Sequence, residues 1–389
     1  MSINENTFLN PSPSERGRGE VYFAPGRINL IGEHLDYNGG LVLPAALTIG
    51  VKATLTKRTD DKIKLSSATH PFSIELNTSD EIVYDVANDW TNYPLGVIKY
   101  LRQEGYEIPA CNVVYESNMP EGSGLSSSAA VEVLTAFALI DQSVPSPSGR
   151  VREGSLVWLA NLCKQVENEF IGVNCGIMDQ YSVALGKRDN AILIDCAELR
   201  HQYIPIDLED YKLMVMNTNK PRKLVNSKYN ERRAECEEAL KKIQAWKPEV
   251  KHLCDCSISD VYSLTDDVLQ RRAKHVISEN LRVKESVKML RFNDLSTFGR
   301  LMNASHSSLR DDYEVTGLEL DTLAETAQEV KGCLGARMTG GGFSGCAIAL
   351  VHSSAIPQFI DTVSARYLSV TDIACDIYES EIGDGVRRI

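Results

Sequence analysis

Several features that would assign a chain to a broad class are missing from this sequence. Among its 389 residues, no apolar run approaches the roughly 20 that a membrane-spanning helix needs. The first stretch, MSINENTFLNPSPSERGRGE, has no apolar core of the kind that marks a secretory signal. We therefore expect a soluble, cytoplasmic protein whose first residues form a polar, partly disordered lead-in.

Paired cysteine motifs and an excess of positive charge are also missing. The ten cysteines lie at irregular spacings without a CxxC pair, and only Cys254 and Cys256 are close together. This pattern predicts reduced, mostly buried thiols and argues against a zinc site. A formal net charge of −12 argues against a nucleic-acid-binding surface, which needs clustered lysine and arginine. The sequence therefore favours a small molecule as the partner, with no nucleic acid and no membrane.

The composition is that of a globular protein, with 43% hydrophobic and 24% charged residues. The length is sufficient for two domains that each bury a core. We place the boundary after residue 197, which gives domains of 1–197 and 198–389. No internal repeat is evident.

Hydrophobic periodicity predicts strands and helices in both halves of the chain. Phe72, Ile74 and Leu76 alternate with polar neighbours, as in a strand. Apolar residues at steps of three and four indicate one helix over 155–172. Because strands and helices do not alternate regularly, the predicted class is α+β and not a doubly wound parallel sheet. Strands are predicted at 21–24, 41–58, 62–67, 72–77, 111–117, 190–196, 212–219 and 374–386, a glycine loop running into a strand at 336–352, and helices at 93–105, 129–140, 155–172 and across 226–330.

The stretch PEGSGLSSSAA, residues 120–130, joins a predicted strand to a predicted helix. Gly122 and Gly124 permit positive φ, and the serines stand at a helix N-terminus, where unsatisfied N–H groups and the helix dipole favour an anion. These residues predict either a phosphate cradle or a serine N-cap beside a flexible hinge. No Gly-Lys-Ser/Thr follows, so a Walker loop is excluded. A metal, the helix dipole or a cation from elsewhere must then neutralise any phosphate.

A second polar cluster lies in APGRINLIGEHLDYNGGLVLP, residues 24–44. Arg27, Glu33, His34 and Asp36 fall within ten residues, beside an apolar run and between two predicted strands. So many polar groups indicate either a solvated turn or a polar site on a rigid support.

Four ordered stretches give the chain a specific resemblance. GRINLIGEHLDYNGG resembles the galactokinase signature, and PEGSGLSSSAA resembles the nucleotide-binding motif of the wider GHMP kinase family. CGIMDQYSVALG is similar to the galactokinase segment that carries the active-site aspartate, and GARMTGGGFSGCAIAL resembles the third GHMP motif. The resemblance implies the two-domain GHMP kinase fold, with a ribosomal S5-like N-terminal domain, a ferredoxin-like C-terminal domain and the active site in the cleft between them.

The resemblance also implies roles for individual residues. Asp179 matches the aspartate proposed as general base toward the sugar, or as the group that orients and stabilises it. Arg27 matches the arginine beside that aspartate, where it would keep the carboxylate ionised and offset charge on the phosphoryl group. By the same resemblance, the substrate-binding residues are Arg27, Glu33, His34, Asp36, Gly176, Asp179 and Tyr229; the ATP-binding residues are Trp90, Tyr93, Gly122, Ser123, Gly124, Leu125, Ser126, Ser127 and Ser128; and the Mg²⁺ ligands are Ser128 and Glu167.

The implied reaction is Mg-ATP-dependent phosphorylation of the anomeric hydroxyl of α-D-galactose, by direct in-line transfer, to galactose 1-phosphate and ADP. We expect a monomer, although the sequence leaves an oligomer open. Two alternatives also stay open. One is a GHMP kinase for another sugar, such as N-acetylgalactosamine, and the other is a galactose sensor that binds sugar and ATP without catalysis. The intact serine stretch, Glu167 and Asp179 favour an enzyme.

Overall fold

The computed structural model describes residues 19–120, 122–143, 153–221 and 225–389. Of the lead-in predicted to be polar and partly disordered, residues 1–18 lie outside these ranges, and Glu20 already belongs to a strand. Within them, no helix is long and apolar enough to cross a membrane.

The described strands and helices alternate irregularly along the chain. The strands are β1 Glu20–Asn29, β2 Leu41–Val42, β3 Pro44–Lys57, β4 Lys62–Ser67, β5 Ile74–Asn77, β6 Cys111–Ser117, β7 Asn190–Asp195, β8 Arg200–Pro205, β9 Tyr211–Asn217, β10 Cys333–Thr339, β11 Cys346–His352, β12 Asp376–Ser380 and β13 Arg387–Arg388. The α-helices are α1 Asn92–Gln103, α2 Ser127–Ser143, α3 Glu153–Gln165, α4 Met178–Leu185, α5 Val225–Gln244, α6 Ile258–Val261, α7 Asp267–Arg291, α8 Leu295–Ser308, α9 Leu318–Glu329 and α10 Ile356–Thr371.

The strands form three sheets. Their orders are β13-β1-β3-β6-β4-β5, β10-β11-β9-β12 and β2-β7-β8. Of the pairs described, β4 and β6 are parallel and the others are antiparallel. Helix α2 packs on β1 and β3, while α8 and α9 pack on β10. This irregular mixture confirms the α+β class. The division after residue 197 stays a prediction.

Several predicted elements have the expected bounds. The strand predicted at 111–117 is β6, and the helix predicted at 93–105 is α1. Gly105 follows α1 with φ +85, the left-handed conformation expected at a helix C′ position.

Other predictions were wrong in detail. The strand predicted at 41–58 is two strands, because the backbone of Leu43 bonds to Leu30 and Ile31 and leaves β2 to pair with β7. The helix predicted over 155–172 is α-helical only as far as Gln165. It continues as a π-helical turn, Val166–Ile171, which ends at left-handed Gly172. The sequence patterns missed α4, β8, β13 and α10 altogether.

The pairing of β1 with β3 shifts register between Pro25 and Arg27. Gly50 of β3 pairs with Pro25, and a Cβ atom at Gly50 would overlap the carbonyl oxygen of Ala24. Gly50 therefore allows the two backbones to approach closely just before Arg27.

We expect Gly50→Ala to destabilise the protein by about 1–3 kcal/mol, because backbone atoms cannot yield to the added methyl group. Thermal unfolding of the purified variant measures this effect. Gly154→Ala in α3 is the matched control, since nothing lies within contact distance of a Cβ there. Equal melting temperatures for the two variants would contradict the role given to Gly50.

Candidate active site

Two adjoining cavities meet at the loop between β6 and α2. The inner cavity has a volume of about 420 Å³, and the outer cavity has a volume of about 620 Å³. Tyr93, Gly122, Ser127 and Ser128 line both cavities. Residues from both halves of the chain line the inner cavity, and those from the second half include Tyr229 and the glycines 340–342.

Most residues predicted for the site come together in the inner cavity. Its lining includes Arg27, Glu33, His34, Asp36, Tyr93, Gly122, Gly124, Ser126, Ser127, Ser128, Glu167, Gly176, Asp179 and Tyr229. Trp90 lines the outer cavity instead. Ser123 and Leu125 are buried within the loop and line neither cavity.

The glycine and serine loop has the backbone that its composition predicts. Gly122 and Gly124 have φ of +67 and +74, and Ser126 is also left-handed, with φ +65. A non-glycine residue in this region carries strain, and here Ser126 donates a 2.6 Å hydrogen bond to Asp179. Helix α2 begins at Ser127, so the N–H groups of its first turn have no partner within the helix.

Asp179 and Arg27 form an ion pair beside this loop. The guanidinium of Arg27 donates from Nε to Oδ1 at 2.8 Å and from Nη2 to Oδ2 at 2.9 Å, a bidentate geometry. Its third donor, Nη1, bonds the carbonyl of Gly124 at 2.8 Å. Arg27 is buried, whereas the Asp179 side chain is 30% exposed toward the cavity. The carboxylate thus has a fixed orientation and an accessible face.

Glu33 lies in the wall of the cavity and is paired with Arg337 of β10, a residue that sequence reasoning missed. Both side chains are fully buried, and Gly340 donates its N–H to Glu33 at 3.2 Å. Burial raises the pKa of Glu33, while Arg337 acts to lower it. In the sequence, Arg337 stands between apolar residues just before a glycine run. A lone arginine in that context was the signal from which a buried ion pair could have been predicted.

Behind Arg337 lies a second acidic residue, Glu279 of α7. One of its carboxylate oxygens accepts from the N–H of Gly32 at 3.0 Å, and Arg282 donates to the other at 2.6 Å. Burial acts to raise the pKa of Glu279, but Arg282 and Arg337 outweigh it and hold the pKa at about 2. The loop between β1 and β2, residues 30–40, is here called the signature loop. It is therefore held in place by buried ionic groups of α7 and β10.

An aromatic cluster surrounds His34. Its Nδ1 lies 2.8 Å from the hydroxyl of Tyr37, which lies 2.9 Å from that of Tyr313. Its ring centroid is 5.6 Å from that of Tyr229. Burial lowers the pKa of His34 to about 3, so the imidazole is neutral. Its Nε2 is buried and has no partner among the described residues, which leaves one ring nitrogen for a ligand.

Asp36 packs directly on Gly176. A Cβ atom at Gly176 would overlap the Asp36 carboxylate, so any side chain there would displace Asp36. Burial, and secondarily the charge of Asp179, raises the pKa of Asp36 to about 6. Asp36 therefore titrates closer to neutral pH than an ordinary aspartate does.

Glu167, in the π-helical turn, is a buried carboxyl group at the edge of the inner cavity. Gln180 donates to its Oε2 at 3.1 Å. Burial raises the pKa of Glu167, while hydrogen bonds from Cys175 and Ser128 act to lower it. A buried carboxylate beside a serine hydroxyl offers the hard oxygen ligands that Mg²⁺ prefers. No cluster of three or more His, Cys, Asp or Glu that could hold a metal is found in the described part of the chain. A cation here would depend on phosphate and water for its other ligands.

Three family models match the chain. They are the galactokinase galactose-binding signature at residues 14–57, the GHMP kinases N terminal domain at 92–187 and the GHMP kinases C terminal domain at 283–368. Among curated proteins, the galactokinase of Fusobacterium nucleatum is 44% identical over 380 residues, which is 96% of each chain. That of Staphylococcus carnosus is 47% identical and covers 100% of this chain and 98% of its own length.

Solved structures agree with these matches. Lactococcus lactis galactokinase complexed with galactose has a TM-score of 0.89 and 43% identity, and covers 96% of each chain. Methanococcus jannaschii mevalonate kinase, at 20% identity and a TM-score of 0.66, covers 95% of this chain and 100% of its own and shares the fold. The chain therefore belongs to the galactokinase family of GHMP kinases.

Proposed function

We propose that this protein is a galactokinase that transfers the γ-phosphoryl group of Mg-ATP to the anomeric hydroxyl of α-D-galactose. Membership of the galactokinase family, over nearly the whole chain, supports the substrates. The observation that carries the proposal is the position of the Arg27–Asp179 pair, which Ser126 bonds directly to the glycine and serine loop. An acceptor hydroxyl held at Asp179 would lie beside a phosphate held by that loop.

In this proposal the sugar occupies the inner cavity and the nucleotide spans both cavities. Asp36, neutral His34, Glu33, Tyr229 and the backbone at Gly176 would contact the sugar hydroxyls. Fixed polar groups reject a sugar that leaves one of them unpaired. Trp90 and Tyr93 would lie near the adenine, and the backbone of 122–128 would contact the phosphates. We keep the division after residue 197 and a monomeric state as parts of the proposal.

Asp179 would orient the anomeric hydroxyl and accept its proton late in the transfer. Arg27 would offset the negative charge on the phosphoryl group. Cys175 also lines the inner cavity, but burial raises the pKa of its thiol well above neutral pH. It is therefore a poor covalent nucleophile, which supports direct transfer from ATP to the sugar.

Ser128 and Glu167 would bind Mg²⁺. Bound there with ATP, the ion would neutralise phosphate charge, a task for which the loop provides no lysine. The buried carboxylate of Glu167 and its neutral donor Gln180 support this role, because they leave a negative group without a cationic side-chain partner in the residues described.

Measurement of ADP release with galactose as the only sugar tests this reaction against the two alternatives, a kinase for another sugar and a galactose sensor without catalysis. We expect turnover with galactose and much slower turnover with N-acetylgalactosamine, since the inner cavity is closely lined by Asp36, His34 and Tyr229. Faster turnover of the N-acetylated sugar would assign a different substrate. Binding of galactose and ATP without ADP release would indicate a sensor.

Asp179→Asn is expected to lower kcat by about 10²–10⁴-fold, because the acceptor carboxylate is lost. The asparagine keeps the size of the side chain and an oxygen for Arg27, so galactose binding by calorimetry should survive. Asp61→Asn, at an exposed position, is the matched control and should leave kcat unchanged. Near-normal turnover by Asp179→Asn would refute the role of Asp179.

Galactose affinity should fall as the pH is lowered through about 6. The pKa of Asp36 is raised to about 6, so below that pH the carboxylate gains a proton and loses acceptors for sugar hydroxyls. One titrating group predicts a loss of up to about tenfold per pH unit. Calorimetry from pH 5 to 8 measures it, and Asp36→Asn should bind more weakly with a flat profile. A transition that persists in Asp36→Asn would assign it to another group.

A further inference from the structure

A chain of hydrogen bonds leads from the wall of the inner cavity to residues that do not line it. Nδ1 of His34 lies 2.8 Å from the hydroxyl of Tyr37, which lies 2.9 Å from the hydroxyl of Tyr313. The Tyr313 hydroxyl in turn lies 3.0 Å from the sulfur of Cys236 in α5. His34 lines the inner cavity, whereas the two tyrosines and the cysteine line neither the inner nor the outer cavity. The chain therefore connects the cavity wall to groups behind it.

The ring of Tyr313 is held between two imidazoles. Tyr313 ends a second π-helical turn, Leu309–Tyr313, and is fully buried. Such turns are rare and occur frequently at functional sites. The centroid of the Tyr313 ring lies 4.7 Å from that of His34 and 4.5 Å from that of His275. The Tyr313 hydroxyl thus has a defined position from which to hold the hydroxyl of Tyr37.

The hydrogens of this chain have only two concerted arrangements. Because burial keeps His34 neutral, its imidazole carries one N–H, and each tyrosine has one hydrogen to donate. If Tyr37 donates to His34, Nδ1 carries no hydrogen, and Tyr313 must donate to Tyr37 to separate the two phenol oxygens. If Nδ1 donates instead, both tyrosines donate away from His34. The two arrangements pair different donors with different acceptors and so differ in free energy. The position of the imidazole proton is therefore coupled to both hydroxyls.

The other ring nitrogen of His34 faces the question of what a ligand would meet. Nε2 is buried and has no partner among the described residues. It is a donor when Nδ1 carries no hydrogen, and an acceptor when Nδ1 does. The hydrogen-bond chain therefore sets the role of Nε2.

We propose that Tyr37 and Tyr313 are positioning residues for the sugar: their linked hydroxyls hold the His34 ring in one orientation and one tautomer, so that Nε2 has a single role toward a sugar hydroxyl. The inference rests on the proposed function, in which His34 contacts galactose. A site whose polar groups have fixed roles rejects a sugar that leaves one of them unpaired. The two tyrosines would thus contribute to sugar selection without touching the sugar.

Nitrogen NMR of the full chain, labelled with ¹⁵N in its histidine rings, tests the tautomer without any sugar. The signals of His34 are those, among seven histidines, that vanish in His34→Gln. We expect one protonated and one unprotonated ring nitrogen for His34 in the parent protein. Tyr37→Phe removes the partner of Nδ1, so both tautomers should appear, with averaged ¹⁵N shifts.

Calorimetry with galactose tests the consequence for the sugar. Tyr37→Phe should weaken galactose binding by about three- to tenfold, the range for one neutral hydrogen bond, and should leave ATP binding unchanged. Tyr313→Phe should cause a smaller loss, because Tyr37 stays in place. The double variant should bind galactose no more weakly than Tyr37→Phe, since Tyr313 acts only through Tyr37.

Tyr367→Phe is the matched control. The buried hydroxyl of Tyr367 donates to the carbonyl of Thr218 at 2.7 Å, and Tyr367 lines neither cavity. Loss of this hydrogen bond should lower the melting temperature but leave the His34 signals and galactose affinity intact.

Two tautomers of His34 in the parent protein, or an unchanged His34 spectrum in Tyr37→Phe, would overturn the inference. Additive losses in the double variant, or an equal loss of galactose affinity in Tyr367→Phe, would also overturn it. Absence of galactose binding by the parent protein would instead refute the proposed function, and the sugar role of the two tyrosines with it, whatever the NMR spectra show.

Discussion

The arrangement of the site depends on one ion pair that is completely shielded from water, between Glu33 and Arg337. The two residues are 304 positions apart, one in the signature loop after β1 and the other in β10. Removing two charges from water is unfavourable unless their attraction and further hydrogen bonds compensate for it. Arg337 also donates to the carbonyls of Asn29 and Leu30, both at 3.2 Å. The pair therefore holds the third glycine motif against the sugar signature, and the inner cavity lies between them.

Local sequence was sufficient for those parts of the molecule that local chemistry determines. Strand β6, helix α1 and the left-handed glycines of the glycine and serine loop follow from alternation, helical spacing and the absence of a side chain. The cavity-lining residues were predicted by resemblance to a family and not by physics. Standing alone, His34 or Tyr229 could have been an ordinary core residue.

What could not be predicted depends on contacts between distant segments. Arg337 and Tyr313 acquire their roles from partners on other helices and strands, and periodicity carries no information about those partners. The π-helical turn that contains Glu167 was likewise read as α-helix, because both have a similar apolar spacing. A lone charge within an apolar run, as at Arg337, was the remaining signal for a buried polar function.

The pairing of β13 with β1 has a consequence for how the chain is made. Strand β1 carries Arg27 into the site, and its edge partner is synthesised some 368 residues later, as the contact between Arg388 and Glu20 illustrates. During translation, this edge of the sheet therefore stays open until residues 387–388 have left the ribosome. Exposed strand edges invite wrong pairing, and such distant contacts form slowly. The growing chain would thus depend on chaperones, or on rapid release, more than its finished structure suggests.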